Sequence, residues 1–141
     1  MQVIPGNLLS IHLDYLITSE RSVGQRHIRL SISNLFKSDK IPSDTQMQLA
    51  ITPSAKWTVI CLDVKKLLEA NYSIFLQTHQ LRSLTVCSNV CVKGIYTSDI
   101  RYNWKTLPKE MSFKLGKEEV WGEHYDWVHL PIGDEENMSE G

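Results

Sequence analysis

Short stretches in which apolar and polar residues alternate constrain the fold of this chain more than any other feature. The first stretch covers residues 8–17, where Leu9, Ile11 and Leu13 lie on one side of an extended chain. Side chains of a β-strand point alternately to its two faces, so this spacing predicts a strand with one buried face. The same pattern predicts further strands at residues 27–33, 46–51, 57–62, 81–87, 90–97 and 100–104.

Two pairings follow from the order of these strands. Residues 8–17 and 27–33 are joined by a polar connection that contains Gly24, which favours an antiparallel pair. Residues 81–87 and 90–97 are separated by Ser88 and Asn89, which is a short polar connection of the kind found in hairpins. From residue 107 onward the prolines and aromatic residues predict an extended segment without a strand, packed across the sheet.

One segment, residues 63–70, has the features of a helix. Asp63 can accept hydrogen bonds from the first-turn amides, and Val64, Leu67 and Leu68 follow at helical spacing. Many short strands and one short α-helix within 141 residues predict a single, mainly β domain. The expected architecture is an antiparallel β-sandwich of the jelly-roll kind.

Charge is distributed unevenly along the chain. The first 117 residues contain all 15 Lys and Arg residues and eight acids, a formal charge of +7, whereas residues 118–141 contain eight acids and no Lys or Arg. A basic body attracts polyanions, which include nucleic acid, acidic membranes and acidic protein surfaces. We expect residues 132–141 to form an acidic, disordered tail.

Cysteine usage and hydropathy indicate an intracellular protein. The three cysteines are an odd number, and residues 1–9 lack the basic start of a signal peptide. We therefore expect free thiols in the cytoplasm. Cys87 and Cys91 are predicted to be buried thiols, because two ligands are too few for structural zinc. No apolar run is long enough to cross a membrane.

The sequence does not predict catalysis, a metal site or a cofactor. His124, Asp126 and His129 alternate in part, but we expect surface or packing roles for them. Ser98 and Asp99 are expected to hydrogen-bond their own backbone and so turn the chain after a strand. We favour this local role over catalysis. The sequence contains no glycine-rich phosphate loop or nucleotide fingerprint.

A compact group of basic and aromatic residues is the best candidate for a contact surface. It consists of Arg101, Tyr102, Trp104 and Lys105. Lys93 and Arg29, which point to the polar sides of their predicted strands, are weaker candidates. The alternative is that these aromatic side chains pack over one end of the sheet. Trp57 opens a strand and is expected to lie in the core.

Several segments, taken in order, resemble one known family. They are residues 31–37, residues 57–63, residues 82–89, residues 92–99, residues 107–113, and Trp121, Tyr125, Leu130 and Pro131. This order and spacing over residues 8–131 resembles the domain of the cilia- and flagella-associated protein 20 family. From the same resemblance, we expect the sequence to begin partway into the domain, with residues 1–7 as a lead and residues 8–131 as a partial β-sandwich.

The resemblance implies a β-sandwich similar to carbohydrate-binding modules and a structural role without chemistry. It implies binding of tubulin in the microtubule lattice at the inner junction of ciliary doublets and centriolar triplets, with other centriolar or ciliary proteins as further partners. The implied location is the cytoskeleton at a centriole, basal body or ciliary axoneme. Neither nucleic acid nor a membrane is an expected partner. A carbohydrate-binding or other protein-interaction module is the alternative, because fold alone does not determine function.

Overall fold

A computed structural model describes residues 1–3, 7–20, 24–40, 42–112 and 120–131, with the side chain of Trp121 left out. Strands make up 43% of the described residues, which confirms the expected mainly β class. The elements, in chain order, are β1 Gln2–Val3, β2 Ser10–Ser19, β3 Arg26–Ser33, β4 Gln46–Ala50, β5 Trp57–Leu62, α1 Val64–Tyr72, β6 Leu76–Cys87, β7 Val90–Cys91, α2 Trp121–His124 and β8 Tyr125–Leu130. The expected tail at residues 132–141 lies outside the described residues.

The largest sheet contains four strands in the order β4-β3-β2-β6. The antiparallel pairing of β2 with β3 confirms the prediction, and Leu13 lies opposite Leu30 in its register. The expectation of a wholly antiparallel arrangement is wrong, because β3 pairs with β4 in parallel and β5 pairs with β8 in parallel. Residues 34–45 form the long connection that a parallel neighbour requires, whereas an antiparallel neighbour needs only a short turn.

The second half of the chain departs further from the predicted pairing. The hairpin expected from residues 81–87 and 90–97 does not form, because β6 pairs with β2 and the two-residue β7 pairs with β1. Residues 100–104 are not a strand. Conversely, the segment expected to lack a strand contains β8, which pairs along the whole of β5. Alternation in a sequence indicates a strand with two different faces, but it does not identify the neighbouring strand.

The four-stranded sheet and the two-stranded β5-β8 sheet contribute to one hydrophobic core. The four-stranded sheet buries Leu13, Ile28, Leu30 and Met47, each at most 5% exposed. From the β5-β8 sheet, the core includes or contacts Ile60, Leu62, Val128 and Leu130. A shared core between two sheets is compatible with the predicted sandwich, and the sandwich itself stays a prediction.

Helix α1 forms where the sequence predicts it and covers one side of this core. The Asp63 carboxylate accepts a hydrogen bond from the amide of Lys66 at 3.2 Å, which caps the first turn. Leu67 and Leu68 are buried, whereas Lys65 and Lys66 are exposed. The helix ends at Tyr72 and is capped by Ser73, whose backbone is left-handed with φ 52°. Neither described helix is long and apolar enough to cross a membrane.

The opposite face of the four-stranded sheet is a ladder of polar side chains. The Oγ atoms of Ser10 and Ser33 lie 2.8 Å apart, and the same distance separates His12 Nδ1 from Ser31 Oγ. One step along, Arg29 donates two hydrogen bonds to the Asp14 carboxylate, at 2.8 and 3.1 Å. Cross-strand pairs of this kind hold the register of β2 and β3.

The Asp14 carboxylate is expected to make the free energy of unfolding depend on pH. Hydrogen bonds from Arg29 and then Ser83 hold the pKa of Asp14 below its usual value. Because the folded pKa is the lower one, Asp14 stabilises the fold above the unfolded pKa of about 4, and the contribution declines as the pH falls through the folded pKa. Asp14→Asn should therefore lower the free energy of unfolding modestly at neutral pH, by an amount that shrinks in acid. Denaturant titrations at neutral and acidic pH measure both values.

The exposed carboxylate of Asp99 provides the control for this experiment. Asp99→Asn removes the same charge outside the sheet, so it should not reproduce the pH-dependent difference. An Asp14→Asn penalty of equal size at every pH would contradict the assigned role of the ion pair.

Candidate functional site

The candidate site is the loop formed by residues 92–112, which follows β7 and has an irregular backbone. Two contacts join its outgoing and returning ends. The Tyr96 hydroxyl donates a hydrogen bond to the carbonyl of Glu110 at 3.0 Å, and the Lys93 ammonium group donates to the carbonyl of Ser112. The loop therefore has a closed base, although it contains no strand and no helix.

Gly94 allows Tyr96 to reach across this base. A Cβ atom added at Gly94 would lie 2.6 Å from the Tyr96 ring, which is closer than two non-bonded carbon atoms approach one another. A side chain at position 94 would therefore displace the Tyr96 ring. This displacement would separate the hydroxyl from the Glu110 carbonyl that it contacts.

A turn centred on Asn103 presents the aromatic and basic residues. The Asn103 side-chain oxygen accepts hydrogen bonds from the amides of Lys105 and Thr106, at 2.9 and 3.0 Å. The Thr106 hydroxyl oxygen accepts one from the amide of Asn103, also at 2.9 Å. Asparagine stabilises turns in this way because its short side chain reaches backbone amides two and three residues later. Trp104 and Lys105 consequently lie at the tip of the turn.

The tip combines a π-face with a cation. The Lys105 ammonium group lies over the Trp104 ring, 5.3 Å from its centroid. Trp104 remains 48% exposed, so the pair is available to a partner. A cation at this distance is attracted by the ring quadrupole, which favours the arrangement in the absence of a partner.

Apolar side chains and cations are both exposed along the loop. The exposed large apolar side chains are those of Val92, Ile95, Tyr96, Ile100 and Trp104. Four cations, Lys93, Arg101, Lys105 and Lys109, outnumber the two acids, Asp99 and Glu110. An exposed apolar group surrounded by charges is typical of an interaction surface.

The structure brings together most of the residues that the sequence singled out. Arg101, Trp104 and Lys105 are exposed on the loop, and Tyr102 beside them is half-buried. Lys93 lies in the same loop, but its ammonium group is bonded at the base. Arg29 lies elsewhere, on the polar face of the four-stranded sheet, with its guanidinium engaged by Asp14.

The exposed apolar residues Ile95, Tyr96 and Ile100, and Lys109, also belong to this group, although they are not among the candidates from the sequence. A signal was present, because Ile100, Trp104 and Pro108 are each followed directly by a cation. The sequence predicts strands at residues 90–97 and 100–104, and a strand buries one of its two faces where it packs on a core. Their exposure in an irregular loop corrects the interpretation.

Cys61 and His129 are adjacent across the β5-β8 pair, but their geometry is not that of an activated thiol. The His129 Nδ1 atom lies 3.2 Å from the Cys61 carbonyl oxygen. Burial raises the pKa of the Cys61 thiol, and nearby Arg101 opposes that effect only in part. A raised pKa disfavours the thiolate that nucleophilic catalysis requires.

The remaining candidate groups are buried or make local hydrogen bonds. Within the described part of the chain, no three His, Cys, Asp or Glu residues are grouped so that they could hold a metal ion. Asp126 and His129 lie three residues apart on β8 and therefore on opposite faces. Asp126 accepts a hydrogen bond from Ser54, and His129 is fully buried. The Ser98 hydroxyl bonds the Ile100 amide at 3.0 Å, as expected for a turn.

The prediction that Cys87 and Cys91 are buried is wrong. Both thiols are exposed. Cys87 lies opposite Ser10, at the polar edge of the large sheet, and Cys91 lies opposite Gln2 in the two-stranded β1-β7 ribbon. The expectation assumed a hairpin with a covered face, and that hairpin does not form.

Removing the Asn103 side chain should disorder the tip without unfolding the domain. Asn103→Ala deletes the acceptor for the Lys105 and Thr106 amides, which stabilises the turn by about 1 kcal/mol. We expect a small change in the free energy of unfolding and increased mobility of the Trp104 ring. Nuclear magnetic resonance relaxation of the tryptophan side chains measures that mobility.

A matched control is available in the same loop. Ser98→Ala removes a local hydroxyl–backbone bond from a different turn, so the Trp104 signal should keep its rigidity in that variant. Unchanged relaxation of Trp104 in Asn103→Ala would show that the asparagine does not position the tip.

Comparison with known proteins identifies the family. Residues 7–115 match the CFA20 domain. WD repeat-containing protein 90 of Mus musculus is 29% identical over 159 residues, covering 91% of this chain and 8% of the relative. Its Xenopus tropicalis counterpart is also 29% identical, over 171 residues, with 91% and 9% covered. Centriole proteome protein 16 of Chlamydomonas reinhardtii is 24% identical over 114 residues, covering 79% of this chain and 5% of the relative.

The chain thus spans less than a tenth of the length of these relatives. The domain match, in contrast, includes the β2-β3 pair, the α1 helix and the whole of the candidate loop. Because it covers well over half of the sequence, the chain belongs to the CFA20 domain family.

Proposed function

We propose that this chain is a non-catalytic structural module that binds tubulin in the microtubules of centrioles, basal bodies or ciliary axonemes. The observation that carries the proposal is the exposed tip of the loop 92–112, where Trp104 and Lys105 are stacked. Membership of the CFA20 domain family and a relative named for the centriole proteome support the cellular location. Other centriolar or ciliary proteins are further partners in this proposal.

The proposed mechanism begins with electrostatic attraction. The cations of the loop outnumber its acids, and the first 117 residues have a formal charge of +7. Attraction of a basic surface to an acidic protein raises the rate of encounter and orients the two partners. Burial of exposed apolar groups such as Ile100 and Trp104 then supplies short-range affinity.

The proposed role requires no chemistry. The Cys61 thiol has a raised pKa. The Ser98 hydroxyl accepts a hydrogen bond from the Ile100 amide, and the Ser10 and Ser33 hydroxyls hydrogen-bond each other across the sheet. Binding through a surface loop needs neither a cofactor nor a metal ion. The proposal therefore treats the chain as a binding module and assigns no catalytic residue.

Co-sedimentation with purified microtubules tests this function. The chain should pellet with microtubules at low ionic strength and should be released as salt increases, because salt screens interactions between exposed charges. The chain alone, centrifuged under the same conditions, controls for aggregation. Failure to pellet at any salt concentration would contradict tubulin binding by this chain, and binding on a glycan array would then favour the carbohydrate-binding alternative.

A further inference from the structure

We infer that the loop 92–112 binds a flexible, glutamate-rich tail of its tubulin partner, in preference to the folded wall of the microtubule. This inference rests on the proposed function and specifies which part of the partner the loop recognises. It follows from the alternation of cations and apolar groups, from their exposure and from the irregular shape of the loop.

Cations recur along the loop beside apolar residues. Arg101 follows Ile100, Lys105 follows Trp104 and Lys109 follows Pro108. Lys105 and Lys109 are both exposed, and Lys105 lies over an exposed ring. A ligand that matches this pattern carries a negative charge at the end of a short apolar stem.

Glutamate has this structure. Its two methylene groups can lie against an apolar side chain such as Ile100 or Trp104 while its carboxylate reaches the adjacent cation. Phosphate groups of nucleic acids lack an apolar stem and would leave Ile95 and Ile100, 58% and 63% exposed, in contact with water. The mixed surface therefore favours an acidic peptide over a polyphosphate.

The shape of the loop favours an extended ligand. Tyr96 closes its base against Glu110, and the Asn103 turn holds Trp104 and Lys105 at its tip. Its cations are therefore distributed from base to tip instead of lying on one strand face. A flexible chain can follow such a surface, whereas a rigid surface can contact only part of it. A separate surface hollow lies beside α1 and is lined by Asp63, Lys66 and Phe75. It contains no residue of the loop, so it is not part of the proposed binding surface.

A comparison of two microtubule preparations separates this inference from the proposed function. One is intact, and the other has lost its acidic C-terminal tails through limited digestion with subtilisin. We expect the chain to bind the digested microtubules at least about 30-fold more weakly, because the charge contacts and the aromatic contact of the loop are lost together. A labelled glutamate-rich peptide should also bind, and its glutamine-substituted counterpart should not.

Two double variants locate the contact on the loop. Lys105→Gln with Lys109→Gln removes two loop cations, whereas Lys37→Gln with Lys65→Gln removes two exposed cations outside it. The net charge of both variants is the same. The loop variant should lose most binding to the peptide and to intact microtubules, and the control variant should retain binding within about twofold. Circular dichroism establishes that both are folded.

The outcomes distinguish the two hypotheses. Equal affinity for intact and digested microtubules would overturn the tail inference and leave tubulin binding in place. Equal losses in the two double variants would also overturn it, because net charge and not the loop would explain binding. If the chain pellets with neither intact nor digested microtubules, the proposed function is wrong and the inference that rests on it is wrong too.

Discussion

Leu68→Ala is expected to lower the free energy of unfolding by about 2 to 5 kcal/mol, the range for truncation of a buried leucine. The Leu68 side chain is fully buried in the core to which both sheets contribute. Truncation removes its apolar contacts and leaves a cavity that α1 can only partly close. Urea denaturation followed by circular dichroism measures the loss.

Two further substitutions on the same residue and helix make this test specific. Leu68→Met conserves volume and should cost less than about 1.5 kcal/mol, so it remains measurable if the alanine variant does not fold. Lys65→Ala changes an exposed residue of α1 and should alter stability by less than about 0.5 kcal/mol. A penalty for Lys65→Ala as large as that for Leu68→Ala would contradict the proposed packing of the helix.

Trp104→Ala is expected to weaken microtubule binding by about 30-fold, which corresponds to the roughly 2 kcal/mol of an aromatic hot spot. Trp104 is exposed at the tip of the loop, so its removal should leave the free energy of unfolding nearly unchanged. Affinity falls because the partner loses both the ring surface and the cation–π pair that Trp104 forms with Lys105. Quantitative co-sedimentation and urea denaturation of the same variant measure the two effects.

Phe75 offers a matched control for the loss of an exposed aromatic side chain. It is 69% exposed directly before β6, outside the loop, so Phe75→Ala should keep the affinity of the unsubstituted chain. Tight binding by Trp104→Ala would contradict the role of the tip. A large loss of stability in Trp104→Ala would favour the alternative in which the tryptophan packs over the sheet.

The relation between the loop and the rest of the domain explains why binding and stability should separate. The loop is closed by contacts within its own residues, including Tyr96 with Glu110 and Asn103 with Thr106. The core, in contrast, is formed by the large sheet, α1 and the inner face of the β5-β8 pair. Substitutions in the loop and in the core therefore affect different properties of the protein.

The local features of the fold could be predicted from the sequence. Alternation identified β2, β3, β4 and β5 with bounds close to the observed ones, because burial of one strand face imposes a period of two. Asp63 followed by Leu67 and Leu68 identified α1, since capping and helical spacing act within a few residues. The cluster of Arg101, Trp104 and Lys105 was identified because its members are neighbours in the chain.

Apart from the antiparallel β2-β3 pair, only the tertiary structure determined the neighbours and directions of the strands. β5 and β8 are separated by more than 60 residues and pair in parallel, and neither strand contains a local pattern that identifies its partner. β7 pairs with the N-terminal β1 instead of β6, which leaves Cys87 and Cys91 exposed. The same choice leaves residues 92–112 as a loop. Strand pairing depends on contacts distant in sequence, and those contacts determined which apolar residues became core and which, like Trp104, became surface.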